Sequence, residues 1–374
     1  MKRTLINIAI LSTILGTGMA QAGGWDRSGQ DTSIILKDGN LLEVTSVSVT
    51  PSVTGTYNAG TGTGTGAIVN GVPSYSMTNL AFRTEISDDL SLAIIQDTPF
   101  GAEVNWAGTA GVGFGGIKAK IESSATTFLV GYDVDNVTVF GGLKNQSFSA
   151  SATNPLVGGY SVTSTTDTSI GYVVGAAIEK PEIAMRVALT FSSKVGHDVV
   201  VTEVAPLGGV PTAQDSPLSA DTPESLNLDF QTGIAENTLL FGSIRYVKWT
   251  QTDLKPAIYA YVTGLAGPEK SLKKFDDNTV SYSLGLGRKF TDQWSGAVTY
   301  GTEAKLGGDG SPLGPTDGYS KMGVGITYTG DQAVVSLGMQ KVNVGDTNAV
   351  AGSNSASMTG NTSLVTAVKV GYKF

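Results

Sequence analysis

Strand-like segments in this chain are joined alternately by tight turns and by long polar loops, and that order leaves few folds open. The tight turns are Ser87-Asp88-Asp89, Asp133-Val134-Asp135-Asn136, Glu179-Lys180-Pro181-Glu182, Ala235-Glu236-Asn237, Thr291-Asp292 and Gly330-Asp331. Between them fall long connections at about 51–75, 106–116, 146–168, 205–221, 252–277, 305–318 and 345–359, rich in Gly, Pro, Asn and Ser. Six short and seven long connections give fourteen strands, with all tight turns at one end and all loops at the other. A sandwich has no reason to sort its loops this way, whereas a transmembrane barrel does.

The lipid-facing requirement agrees. Beyond residue 22 no run approaches the roughly 18 to 20 apolar residues of a membrane-crossing helix, so the chain is either soluble or a closed barrel. Side-chain alternation of period two recurs. Tyr282, Leu284, Leu286 and Phe290 oppose Ser281, Ser283, Gly285 and Gly287, and Met185, Val187, Leu189 and Phe191 oppose Ala184, Arg186, Ala188 and Thr190. Phe140 breaks the pattern on its strand. Trp294 and Tyr300 share a face six residues apart, about 20 Å along a strand, a spacing close to that of two aromatic girdles. The expected fold is all-β: a transmembrane antiparallel β-barrel of about fourteen strands over 41–374, preceded by a plug segment over 23–40.

The start of the chain reads as a leader. Met1-Lys2-Arg3 is basic, Thr4 to Gly18 is apolar, and Ala20-Gln21-Ala22 fits a cleavage site, so 1–22 is a signal peptide. Its removal takes net charge from −8 to −10, which excludes nucleic acid as a partner. With no Cys and one His, the chain lacks the means for thiol chemistry, Cys-based zinc sites and most histidine-dependent catalysis. His197 reads as a surface histidine near a strand end, and Gly60 to Gly66, GTGTGTG, as exposed coil without a nucleotide role. No cofactor is implied, and an enzyme is not expected.

Four stretches, IIQDTPFGAEVNW from Ile94, PESLNLDFQTGIAENTLLFGSIRYVKWTQ from Pro223, VSYSLGLGRKFTDQWSGAVTYG from Val280 and the terminal KVGYKF, resemble in order and spacing the FadL-type family of outer-membrane transporters for long-chain fatty acids and other hydrophobic compounds. The resemblance implies a fourteen-stranded barrel closed from inside by an N-terminal plug. Ligand would be captured by extracellular loops and released sideways at a kink in the third strand. Only Gly23 to Asn40 is available as a plug, shorter than is usual in the family, and its Asn-Pro-Ala motif is not visible.

Thr98-Pro99-Phe100-Gly101 fits the kink, since Pro99 cannot donate to a ladder and Gly101 tolerates a bend. Leu156, Val157 and Tyr160 in the third loop and Leu207 and Val210 in the fourth would form the capture groove. Lys144, Arg186, Lys321 and Lys369 fall on inward positions, where a cation could meet a carboxylate or solvate a polar lumen. Trp25, Asp26 and Arg27 are candidates for a gate.

The expected function is passive transport of a hydrophobic small molecule, such as a long-chain fatty acid, by a monomer in the bacterial outer membrane. Its partners would be that ligand, outer-membrane lipid, and the outer-membrane assembly machinery, whose signal the terminal Phe374 resembles. A general porin for hydrophilic solutes and a structural or adhesive barrel are the alternatives; a porin should have an open lumen ringed by charge.

Overall fold

The computed structural model describes residues 24–207, 209–265 and 267–374, and the leader expected over 1–22 lies outside them. The wall begins with β1 (Leu41–Ser52), β2 (Tyr75–Glu85), β3 (Leu90–Asp97, resumed as Gly101–Asn105), β4 (Lys118–Val134) and β5 (Val137–Asn154). It continues with β6 (Tyr160–Ser164 and Asp167–Lys180), β7 (Met185–Ser192 and Val195–Leu207), β8 (Val210–Thr222 and Ser225–Ala235) and β9 (Thr238–Val247). The last five are β10 (Thr279–Lys289), β11 (Trp294–Glu303), β12 (Tyr319–Thr329), β13 (Ala333–Val344) and β14 (Thr362–Lys373). Neighbours along the chain pair antiparallel, and β1 pairs with β14 from Leu41↔Lys373 to Ser52↔Thr362, which closes the fourteen-stranded barrel.

Burial is inverted relative to a water-soluble domain. Leu284, Val298, Val324 and Leu337 face outward and are about half exposed, whereas Thr327, Ser336, Gln340 and Lys369 face inward and are buried. An apolar outer wall with its backbone paired in a closed sheet is what spanning a bilayer requires. Trp294 and Tyr300 both stand on that outer face. At the tight-turn end Phe374 stacks against Tyr372 and Phe82, with centroids 6.4 and 6.0 Å away. Among the described residues no helix is long and apolar enough to cross a membrane, which says nothing about strands.

Phe140, the exception to the alternation, points inward and is buried. It lies over Gly175, its direct partner on β6; a Cβ there would sit 2.3 Å from the ring, so the aromatic fills the space glycine leaves.

Two of the expected loops are largely strand. The connection at 146–168 contains the end of β5, a turn, and the start of β6, and 205–221 is a hairpin in which Leu207 pairs with Val210. Above the lipid band the strands continue with apolar side chains inward, Val199 and Val201 among them, while Asp198 and Thr202 face out. The pattern inverts because the solvent outside changes from lipid to water. His197 belongs to this region and is not a surface residue. Its side chain is fully buried, stacked on Phe148, with Nδ1 2.9 Å from Asp167 and Nε2 3.2 Å from Gln146.

Two small elements cap the mouth. Gly55–Tyr57, Ala67–Ile68, Thr347–Ala351 and Asn354–Met358 form a four-stranded sheet joining the first and last long loops. Helix α1 (Ala257–Gly264) lies in the loop between β9 and β10. The GTGTGTG run is tied to this sheet: the Thr63 and Gly64 N–H groups donate to Asn354 Oδ1 at 3.0 and 3.1 Å.

Candidate functional site

β3 stops at Asp97 and resumes at Gly101, and the residues between supply the site's first feature. On the β4 side the register slips across the break: Asp97 faces Ala125 and Gly101 faces Glu122, so β3 carries one extra residue. On the β2 side pairing ends at Leu80↔Gln96. Above that point Tyr75–Asn79 pair with β1, and Gly101–Asn105 pair with β4. A window therefore separates β2 from β3, bounded above by the Asn105 N–H donating to the Gly71 carbonyl at 2.8 Å.

The inner segment, residues 24–40, lies along that break. The Arg27 and Ser28 N–H groups donate to the Pro99 and Thr98 carbonyls at 2.9 and 3.1 Å, and the Gly101 N–H donates to the Trp25 carbonyl at 2.7 Å. The backbone groups released by the break are thus satisfied from inside the lumen. Arg27 enters the window itself. Its guanidinium carbon is 3.3 Å from the Tyr75 ring centroid on β2, and its Nε donates to the Gly101 carbonyl on β3 at 2.7 Å. Asp26 is clamped by Arg245 on β9 at 2.6 and 3.0 Å, and Ser28 bonds to Asp97.

Further along, Ile34, Ile35 and Leu36 bury in a single turn of helix. The Leu36 carbonyl accepts from Arg186 at 3.1 Å, and Lys37 and Lys369 both reach Glu43, at 2.6 and 2.9 Å. Of the four inward cations singled out in the sequence, Arg186 and Lys369 hold the inner segment or its anchor. Arg186 and Lys321 line a cavity of about 110 Å³ beside that segment. Lys144 is buried in the wall.

A chamber opens above Trp25. A cavity of about 190 Å³ is bounded by Trp25, Val53, Tyr75, Val104, Lys273 and Leu313. A smaller one of about 40 Å³ shares Trp25, Val104, Lys273 and Leu313 and adds Val162 and Leu218. The floor is aromatic: Trp25 packs edge-on against Phe275 at 5.1 Å and Trp249 at 6.2 Å, and Phe100 from the break meets Trp249 at 5.7 Å. Gly24 lies so close to Trp249 that a Cβ would be 2.2 Å from the indole, so no larger residue fits. Tyr75 on β2 and Val104 on β3 both line the chamber, so it adjoins the window. Two lysines line it: Lys274 pairs with Asp276 at 3.2 Å, while Lys273 has Nζ 4.4 Å from the Phe275 ring, and burial lowers the Lys273 amine's pKa, opposed by Asp276. Asp276, Asp277 and Asp309 stand at the rim.

The expected capture residues do not form one groove. Tyr160 is fully buried, and Val157 and Leu207 pack on the cluster around Trp25, while Leu156 joins the cluster around Trp106. Val210 stands 63% exposed at the hairpin tip.

The missed residue of most consequence is Glu203, buried on upper β7. It accepts from the Ile258 and Tyr259 N–H groups at the start of α1 at 3.1 and 2.9 Å, and from the Tyr160 and Ser216 hydroxyls at 2.8 Å each. The Tyr160 hydroxyl's pKa is raised, by burial first and by Glu203 second. One carboxylate thus caps the helix and fastens it to the buried cluster that contains Trp25. Nothing in the sequence marks Glu203, but Pro256 before and Gly264 at the end of an apolar run do signal a helix. Glu203→Ala is expected to cost about 3 kcal/mol of local stability, because charged hydrogen bonds are lost and buried donors are stranded. Proteolytic cleavage within 252–277 should then accelerate by about a hundredfold, if cutting follows local opening. An unchanged rate would show that α1 is held by packing alone.

No protein-family model and no curated protein matches the chain. Solved structures do. A FadL homologue from Pseudomonas aeruginosa is similar over 97% of this chain and 97% of its own, at 14% identity and a TM-score of 0.73. The Pseudomonas putida toluene transporter TodX covers 96% and 98% at 12% identity and 0.65. The Ralstonia pickettii toluene transporter TbuX covers 96% and 97% at 12% identity and 0.62. At such identities the likeness establishes the fold, a FadL-type barrel of fourteen strands.

Proposed function

We propose that the chain is an outer-membrane channel for passive transport of hydrophobic small molecules, in which ligand passes from the chamber above Trp25 sideways through the β2–β3 window into the bilayer. The observation that carries this reading is the contact of chamber and window, both bounded by Tyr75 and Val104, with Arg27 of the inner segment seated between them. An apolar ligand loses about 0.8 kcal/mol for each methylene returned to water, so a lateral path avoids a cost that an aqueous pore imposes. Trp25, Asp26 and Arg27 act as the gate, because Trp25 and Arg27 bond the backbone at Pro99 and Gly101 and the three must shift for the window to clear. Val210 at the exposed hairpin tip forms the outer landing surface, with Leu207 leading inward from it to the cluster around Trp25. The closed barrel works as a monomer, and Phe374 serves as its assembly signal.

A lumen occupied by the inner segment and an aromatic chamber favour this over a general porin. The similarity to toluene transporters makes aromatic hydrocarbons candidate ligands beside long-chain fatty acids. The deciding experiment is uptake of labelled long-chain acid and labelled toluene by cells with and without the gene. A deficit in either supports the channel; no deficit in any hydrophobic compound rejects it.

Where the ligand is an acid, Lys273 is the cation placed to meet its carboxylate. Lys273→Met should weaken binding of the acid by about tenfold, the effect of losing one charged hydrogen bond, and leave the matching alcohol unchanged. Fluorescence of Trp25 and Trp249 reports both. Since burial lowers the amine's pKa, acid binding by the unmutated chain should fade on raising pH sooner than for an exposed lysine. Equal affinity of mutant and parent for the acid excludes this role.

A further inference from the structure

The outer wall changes character beside the window. On β10 to β13, outward positions five to seven residues from the tight-turn end are apolar: Leu284, Tyr300, Val324 and Met339. Over the same range β1 carries Ser46 and Ser48 and β3 carries Gln96, while β2 carries Thr78 above Leu80 and β14 carries Thr366 between Leu364 and Val368, all exposed. A strand tilted by about 40° climbs about 2.6 Å per residue, so this level lies about 13 to 18 Å up a hydrocarbon band about 25 Å tall. Apolar outward residues reach only Val44 on β1, Leu80 on β2 and Ile94 on β3.

These polar residues form one patch. Ser46 pairs directly with Thr78, Ser48 with Ser76, and Ser48 on its other side with Thr366. The patch borders the part of β2 whose β3 side faces the window, where Tyr75–Asn79 pair, among the described residues, with β1 alone. Hydroxyls, a carboxamide and open backbone groups all require hydrogen-bond partners that lipid tails do not offer. A wall with a short apolar band is met by a thinner bilayer.

We infer that the bilayer is thinned against β1, β2 and β3, so that the polar head-group layer and its water descend to Ser46, Ser48 and Thr78. The patch carries hydroxyls and an amide and no charge, which suits the ester carbonyls and bound water of a glycerolipid interface. A second copy of the chain suits it less, since protein interfaces centre on large apolar and aromatic side chains. The window consequently opens at a lowered interface and not into the middle of the hydrocarbon. The thinning holds whichever ligand the channel takes, and even if the window passes none.

The chain has no cysteine, so single nitroxide labels can be placed cleanly. The full chain with Ser46→Cys or Thr78→Cys, and with Leu284→Cys or Val324→Cys as controls at the same level, is reconstituted in dioleoyl phosphatidylcholine vesicles. Power saturation compares collisions with oxygen against those with a water-soluble nickel chelate. The expected result is several-fold more nickel contact at positions 46 and 78 than at 284 and 324. Ser48→Cys and Tyr300→Cys replace any variant that fails to insert. Equal, oxygen-dominated profiles at all positions overturn the proposal, because hydrocarbon then covers the patch. Exclusion of both reagents from 46 and 78 alone overturns it too, in favour of a covering protein.

Discussion

Pro99→Val combined with Gly101→Thr is expected to lower hydrophobic ligand uptake by about tenfold or more while leaving insertion intact, because β-branched residues favour continuous strand pairing where proline and glycine interrupt it. The break exists because Pro99 has no N–H to give the ladder and Gly101 accommodates the bend. Valine at 99 restores the donor. A Cβ at 101 would stand 3.2 Å from Arg27 Nε and 3.3 Å from the Ile121 carbonyl, so it also presses on the side chain filling the window. The altered strand can therefore extend its pairing with β2 past Leu80↔Gln96 and displace Arg27 from the Gly101 carbonyl. Uptake by cells and the heat-dependent gel shift of the folded barrel are the two readouts. Normal uptake with a normal shift removes the window from the transport route; loss of the shift as well means that the break is needed for folding, and Gly101→Ala alone then separates the effects.

Much of the wall was readable from residue pattern because lipid outside and packed polar groups inside enforce alternation over many strands. LVTAVKVGYKF shows this at its clearest: Leu364, Val368, Val370 and Tyr372 face out, and Val365, Ala367 and Lys369 face in. Thr98 to Gly101 was readable for a different reason, since proline and glycine have backbone consequences that do not depend on the rest of the fold. The extensions of β5 to β8 above the membrane were not, because water replaces lipid there and the face that was apolar becomes polar. Pro206, Pro211 and Pro217 also look like loop residues although each lies in a strand of the hairpin. His197 and Glu203 carry no local mark of burial; their partners, Gln146, Asp167, Ser216 and Tyr259, come from other strands or loops. Arg27 was legible only as part of a candidate gate, because its seat between Tyr75 and Gly101 depends on how the inner segment threads the lumen.

The central claim, that the inner segment must leave the broken strand for ligand to pass, is most directly tested by tying the two together. Asp26 and Phe100 form an antiparallel pair flanked by the Arg27-to-Pro99 and Gly101-to-Trp25 hydrogen bonds. Such a non-hydrogen-bonded pair has a Cα separation of about 4.5 Å, within the range a disulfide spans. In the otherwise cysteine-free chain, Asp26→Cys with Phe100→Cys should cross-link on oxidation. Uptake is measured on this one variant, oxidised and then reduced, so the loss of the Asp26–Arg245 pair and of the Phe100 ring affects both states alike. The predicted result is uptake near the level of cells lacking the gene when oxidised, recovering on reduction. Equal uptake in the two states, with the cross-link confirmed by mass spectrometry, contradicts the account.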